Sequence, residues 1–201
     1  MPFPDLEGVT DPPSADTTGR VLAVAAEHGF GLGLGRVRRG AEFLRRTQHA
    51  DGSWSGRWGV NALHGTWLAL AGLAAAGEDL RAPCIQRAVA WLVEHQNADD
   101  GWGESVASYE DDGRRGRGDS TPAQTAWALM GLLAVAGPEH PAVQRGVEYL
   151  VRGQDAAGRW RDDTFTTTAI PRRAYARSEL SALHYPLRAL GQYRSRAESA
   201  P

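Results

Sequence analysis

Two kinds of helical pattern alternate along the chain. In the first, almost every position is apolar: residues 65–77 (GTWLALAGLAAAG) and 122–137 (PAQTAWALMGLLAVAG) carry no charge over helical length. Such a segment is a helix buried on all sides. Residues 14–29 (SADTTGRVLAVAAEHG) and a stretch from about 179 to 193 belong with them. In the second kind, Arg36, Arg39, Glu42, Arg45 and Arg46 interleave with Val37, Phe43 and Leu44 at helical spacing, which predicts one wet face and one packed face. End signals agree. Ser14, Thr66 and Ser120-Thr121 before Pro122 are N-terminal caps, and Gly77 and Gly137 are stops in the left-handed conformation.

The amphipathic segments sit inside a phrase of constant length that occurs three times: RGAEFLRRTQHADGSW at 39–54, RAVAWLVEHQNADDGW at 87–102 and RGVEYLVRGQDAAGRW at 145–160. Each opens on Arg and a small residue, centres on an aromatic-Leu pair, and closes on Gln and Trp. A repeat of this kind means stacked supersecondary units. The predicted order is inner helix, outer helix, Gly-Trp turn, inner helix, with four inner and three outer helices. The fold class is all-α: helical hairpins set around an axis with the apolar helices inside. Residues 1–201 read as one domain, with long loops at 99–119 and 156–173. The first and last inner helices leave apolar edges for something to cover.

Charge and composition narrow the chemistry. The net charge of -2 gives no clustered positive face, which excludes nucleic acid. All 22 basic residues are Arg, as a GC-rich bacterial genome would encode. The lone Cys84 permits no internal disulfide and reads as a small apolar helix residue in a reducing compartment. No secretory signal or membrane span is visible, so a cytoplasmic protein is expected. His28, His49, His95, His140 and His184 lack metal-ligand spacing, so no metal is expected. Gly31, Gly33 and Gly35 follow no strand and mark a hairpin loop rather than a phosphate cradle. The mixed charges from Glu110 to Arg117 read as a solvated run.

The Gln-to-Trp phrase is the QW motif of triterpene cyclases, and nearly the whole chain resembles the C-terminal part of squalene-hopene cyclase. The strings that carry the likeness are DPPSADTTGRVL from Asp11, DGSWSGRWGVN from Asp51, GTWLAL from Gly65, QNADDGWGES from Gln96, GRGDSTPAQTAWALMGLL from Gly116 and PLRALGQY from Pro186. The resemblance implies an α/α toroid of six hairpins, of which this chain holds about half. It also implies an apolar cavity that folds squalene or another polyprenoid, and cyclisation started by a proton without a cofactor. That chemistry needs a strong carboxylic acid, π-faces or dipoles for the carbocations, and a dry cavity.

The acid motif of the family, Asp-x-Asp-Asp-Thr, occurs nowhere in the chain, and Asp162-Asp163-Thr164 is a surface-loop decoy with Trp160 where the first Asp would stand. By resemblance, Asp16 and Arg20 share a helix face beside the acid, either supporting it or forming an ordinary i,i+4 pair. Hopene cyclases often carry His at the position of Arg20. Trp58 matches a cavity Trp, and His64 stands where Tyr is common. Ile170, Ala174, Ala176, Ser178 and Ser181 occupy positions where the family has Phe, Leu and Tyr. Trp54, Trp102 and Trp160 are expected to brace the hairpins. The expected function is a cyclase C-terminal domain that needs an N-terminal cyclase half for its acid and makes transient contact with the membrane that delivers the polyprenoid. The alternatives are a lipid-binding or self-assembling module, such as a homodimer, and a truncated inactive fragment.

Overall fold

The computed structural model describes residues 11–199, so the N-terminal stretch 1–10 read for targeting signals lies outside the described residues. Four inner helices, α1 (Ala15–Glu27), α3 (Ala62–Ala76), α5 (Pro122–Val135) and α7 (Glu179–Glu198), pack in that order side by side. Three outer helices, α2 (Gly35–Thr47), α4 (Pro83–Glu94) and α6 (Pro141–Arg152), lie on their backs. The result is an arc of an α/α toroid, as the alternation of patterns predicted. Being flanked on both sides, α3 and α5 are buried nearly throughout. The arc's ends are not covered: Val21 and Val24 on α1 are 61% and 48% exposed, and Leu180 and Leu187 on α7 are 69% and 59% exposed.

Close approach of α1 to α3 needs glycine on both helices. A Cβ at Gly19 would stand 2.1 Å from the Leu68 carbonyl oxygen, and one at Gly72 would stand 2.4 Å from the Gly19 carbonyl oxygen. Either side chain would push the two inner helices apart.

The repeated phrase resolves into a fixed set of hydrogen bonds. Leu44, Leu92 and Leu150 lie in the last turn of their outer helices, where carbonyls lack a backbone partner within the helix. In each repeat the chain turns back, and the indole N–H of Trp54, Trp102 or Trp160 donates to that carbonyl at 2.7 Å. The turn needs a left-handed residue two positions before the Trp; Gly52, Asp100 and Gly158 supply it with φ of 99°, 74° and 73°. The Gln side chain then reaches outward. Gln48 Nε2 donates to the Gly52 carbonyl at 2.8 Å and to the Cys84 carbonyl of α4 at 2.7 Å. Gln96 Nε2 repeats this with Asp100 at 2.9 Å and with Ala142 of α6 at 3.1 Å. The opening Arg of the following repeat closes the clasp: Arg87 donates to Gln48 Oε1, and Arg145 Nε to Gln96 Oε1 at 3.1 Å.

Three expectations need correction. Thr66 does not cap α3, which begins four residues earlier; its hydroxyl accepts the Trp54 backbone N–H at 3.0 Å, as Thr125 does for Trp102 at 2.9 Å. The loop at 156–173 is not wholly irregular, because β1 (Thr167–Ile170) and β2 (Ala174–Ala176) form an antiparallel hairpin. The last inner helix runs on to Glu198, with Pro186 inside it. The charge run is solvated as read from Glu110 to Arg114, with Arg114 near Asp111 at 3.4 Å, but the Arg115 side chain is largely buried and reaches Asp51 at 3.7 Å.

Replacing Trp102 by Phe keeps a ring in place but leaves the Leu92 carbonyl buried without its donor. We expect Trp102→Phe to cost about 2–4 kcal/mol. The midpoint of urea unfolding should fall while its slope stays unchanged; an unaltered midpoint would mean the indole bond does not brace the hairpin.

Candidate functional site

Asp16 stands in the first turn of α1 with only 1% of its surface exposed. Its Oδ1 accepts the Thr17 N–H at 2.9 Å, and Oδ2 accepts the backbone N–H groups of Arg57 at 2.7 Å and Trp58 at 2.9 Å. His64, on α3, brings Nδ1 to 3.4 Å from Oδ2, an ion-pair distance rather than a well-formed hydrogen bond. Burial alone would raise the Asp16 pKa. The adjoining His64, aided by Ser14 and the Trp58 N–H, outweighs burial and holds the carboxyl well below its ordinary value. Asp16 is thus an ionised anchor and cannot serve as a proton donor near neutral pH.

The segment carrying Trp58 is fixed from every side. Tyr109 donates its hydroxyl to the carbonyls of Gly56 and Gly59, both at 3.0 Å. Burial first, then the nearby charges of Glu104 and Asp16, raises the Tyr109 pKa, so the phenol keeps the proton it donates. Glu104, buried and 42 residues beyond Ala62, accepts the N–H groups of Asn61 at 3.1 Å, Ala62 at 3.0 Å and Leu63 at 2.8 Å. It caps α3 with a negative charge where the helix end presents unpaired donors. Gln124 in turn accepts the Glu104 N–H at 3.0 Å and donates to the Val60 carbonyl at 3.1 Å. On the remaining side the Val60 N–H donates to the Thr166 carbonyl at 2.9 Å, and the Thr168 N–H to the Trp58 carbonyl at 3.3 Å.

This framework leaves Trp58 46% exposed, with the Arg57 guanidinium 5.3 Å from its ring centre. Behind it, His64 meets an aromatic cluster drawn from three inner helices. Its ring lies edge-on to Trp67 at 5.7 Å and to Trp127 at 4.8 Å, and Tyr185 of α7 lies edge-on to both indoles at 5.7 and 5.4 Å.

The structure therefore brings Asp16, Trp58 and His64 together. Ile170 pairs with Ala174 on the hairpin that adjoins the Trp58 segment, and Ala176 pairs with Thr167. Ser178 caps α7 by accepting the Ser181 N–H at 3.3 Å. Arg20 is elsewhere: it forms no pair with Asp16 among the described residues and lines a concavity of about 780 Å³ with Trp67, Met130, Arg188, Gln192 and Arg196. The i,i+4 ion pair is not made because Asp16's oxygens are taken by Thr17, Arg57, Trp58 and His64. A groove of about 890 Å³ beside the site is lined by Pro12, Phe43, His49, Arg57, Tyr109 and Arg172, among others, and not by Trp58 or His64. The sequence reading missed Glu104, Tyr109 and Gln124, whose partners lie 20 to 64 residues away. Among the described residues no group of three or more His, Cys, Asp or Glu is placed to hold a metal ion.

Residues 1–195 match the family model described as squalene-hopene cyclase C-terminal domain. A probable squalene--hopene cyclase of Sinorhizobium fredii is 46% identical over 97% of the chain, which spans 30% of that relative. The squalene--hopene cyclase of Alicyclobacillus acidocaldarius is 46% identical over 98% of the chain, which spans 31% of it. The chain thus covers about a third of the length of these relatives. Among solved structures, the fold matches ent-copalyl diphosphate synthase from Streptomyces platensis at a TM-score of 0.64 and 23% identity, over 94% of this chain and 35% of that one. It matches the type II terpene cyclase MstE from Scytonema at 0.59 and 22%, over 86% and 46%.

Because Asp16 ionises more readily in the folded chain than in the unfolded one, its contribution is full above the unfolded pKa near 4 and is lost as pH falls toward the folded value. We expect Asp16→Asn to lower stability by about 2–4 kcal/mol at pH 7. Denaturant titrations repeated down to pH 3 should show the gap to the parent closing; a constant gap would mean Asp16 is not held as a carboxylate.

Proposed function

The chain belongs to the squalene-hopene cyclase C-terminal domain family, and from that premise we propose that it forms one wall of a class II terpene cyclase acting on squalene or another polyprenoid. The supporting observation is the buried, ionised Asp16, which fixes the Trp58 segment and His64 on one rim. On this reading the proton comes from an Asp-x-Asp-Asp acid in a cyclase segment outside this sequence, and that segment also completes the ring. Asp16 is a positioning residue: its carboxylate holds Trp58 by the backbone and presents the indole face to positive charge developing in the polyene. Ile170, Ala174 and Ala176 leave room where larger side chains would crowd the substrate, so the product differs from that of a cavity walled by Phe and Tyr.

Exposed apolar side chains on α1 and α7 favour a second reading, a non-catalytic module that binds lipid or a second copy. Turnover separates the two. Combined with the rest of the Sinorhizobium relative and given squalene, the chain should yield cyclic triterpene detected by gas chromatography and mass spectrometry. Trp58→Ala should lower the rate about 2- to 30-fold through loss of one cation–π contact. Cyclic product from the chain alone would overturn the assignment of the acid to another segment, and no product from the combination would favour the module.

A polyprenoid substrate resides in a bilayer, so we place the working assembly peripherally at the inner membrane face; among the described residues no helix is long and apolar enough to cross a membrane. In flotation with phospholipid vesicles the combined protein should rise with the lipid. Recovery of all of it in the dense fractions would remove the membrane from the proposal.

A further inference from the structure

The face of the inner layer turned away from the outer helices carries more positive charge than a wall for a neutral hydrocarbon needs. All four inner helices line its concavity of about 780 Å³. Val24 of α1, Ala71 and Ala75 of α3 and Ala134 of α5 make an apolar trough, shallow because three of the four are alanines. Arg20 and Arg188 stand at its two sides, on the first and last inner helices. The two guanidiniums act on the same spot: His184, one turn before Arg188, has its pKa lowered first by loss of water around it and then by the charges of Arg188 and Arg20. Arg188 also lies over the Trp67 ring, 5.9 Å from its centre. Neither Arg20 nor Arg188 has a hydrogen bond or ion pair among the described residues. The lining holds one acid, Glu27, about two turns beyond Arg20, and a third arginine, Arg196, about two turns beyond Arg188. Those two cancel in the sum and leave the charge of Arg20 and Arg188 unmatched.

A guanidinium beside a developing carbocation raises its energy, and Arg188 already occupies the Trp67 face that would otherwise receive one. An oxyanion there is attracted instead. Planar guanidiniums bind phosphate oxygens in pairs, and a partly apolar concavity strengthens such bonds relative to open water. We infer that the concavity holds an amphiphile whose apolar chain lies in the trough along Val24, Ala71, Ala75 and Ala134 and whose phosphate-type head is gripped between Arg20 and Arg188. The inference rests on the reading above for the polyprenoid nature of the chain, and it narrows the preferred substrate class from squalene to a polyprenoid with a phosphate-type head. Trp58 does not line this concavity, so the anionic head is kept apart from the indole proposed to face the cation.

Neither half of such a ligand suits the concavity by itself. A free inorganic anion leaves the trough empty, and a neutral prenyl chain leaves two guanidiniums unmatched. The two halves can therefore be tested apart.

The test titrates the chain with farnesyl diphosphate, farnesol and inorganic diphosphate by isothermal titration calorimetry. Farnesyl diphosphate should bind at one site, with farnesol and inorganic diphosphate each about 10-fold weaker or more. Arg20→Gln and Arg188→Gln should each weaken farnesyl diphosphate about 10-fold and leave farnesol unchanged. Arg194→Gln, on the same helix as Arg188 but paired with Glu198 at 2.8 Å, should change neither. Thermal melts of each variant identify any that fail to fold. Absence of binding, equal binding of farnesol, or binding indifferent to both Arg20→Gln and Arg188→Gln overturns the inference. So does inorganic diphosphate bound as tightly as farnesyl diphosphate, which would leave a bare anion site, and so does loss of farnesyl diphosphate once the rest of the Sinorhizobium relative is added, which would give the guanidiniums to that segment. Arginine-dependent binding without cyclic product from the combined protein leaves this inference standing and removes the catalytic reading; squalene turnover with no farnesyl diphosphate bound does the reverse.

Discussion

An outer helix that ends against the inner layer must satisfy carbonyls that no backbone N–H of its own can reach. In this chain the indole N–H of a Trp ten residues further on meets that demand at Leu44, Leu92 and Leu150. The bond has an architectural consequence. To bring the indole back, the backbone must reverse through a left-handed residue, and that reversal aims the chain at the inner layer. The Gln beside the turn uses the same exposed helix end to grip the next outer helix. One local requirement of hydrogen bonding thus sets the reversal, the layer change and the spacing between hairpins.

The candidate site grows from a similar requirement at the opposite ends of the helices. The N-terminus of α3 presents donors to the interior, and two carboxylates meet neighbouring parts of this region: Glu104 takes the N–H groups at residues 61–63, and Asp16 takes those at 57 and 58. A carboxylate surrounded by donors and a histidine stays ionised near neutral pH, which suits an anchor and leaves it no proton to give to an alkene. The same hydrogen bonds hold Trp58 half in solvent. An indole needs support from its backbone to stay exposed there, because its apolar surface would otherwise be better buried.

The helices were legible because burial imposes a period, and the three phrases were legible because the Gln-Trp clasp needs the same residues each time. Helix ends were less so. Thr66 looks like a cap in sequence, yet the helix begins at Ala62 because Glu104, far along the chain, supplies the capping oxygens. The partners of Asp16 are hidden for the same reason: i,i+4 spacing offers an ion pair with Arg20 as one of its two readings, whereas tertiary packing delivers His64 and two backbone N–H groups. Residue composition also hid the β-hairpin, since Thr167, Thr168 and Tyr175 suit strands but sit among Arg, Pro and Ala with no alternation long enough to read.

Burial along the inner layer carries the argument about the ring one step further. If the arc were the whole assembly, its terminal inner helices would be expected to present a polar outer side, as capping repeats do. Polar residues do appear on α1 and α7, but Val21, Val24, Leu180 and Leu187 stand exposed among them. At the α1 end Val21 lines an apolar groove between α1 and α2 with Leu22, Ala25 and Val37. Apolar side chains left exposed at both ends of the inner layer are what the proposed assembly would cover.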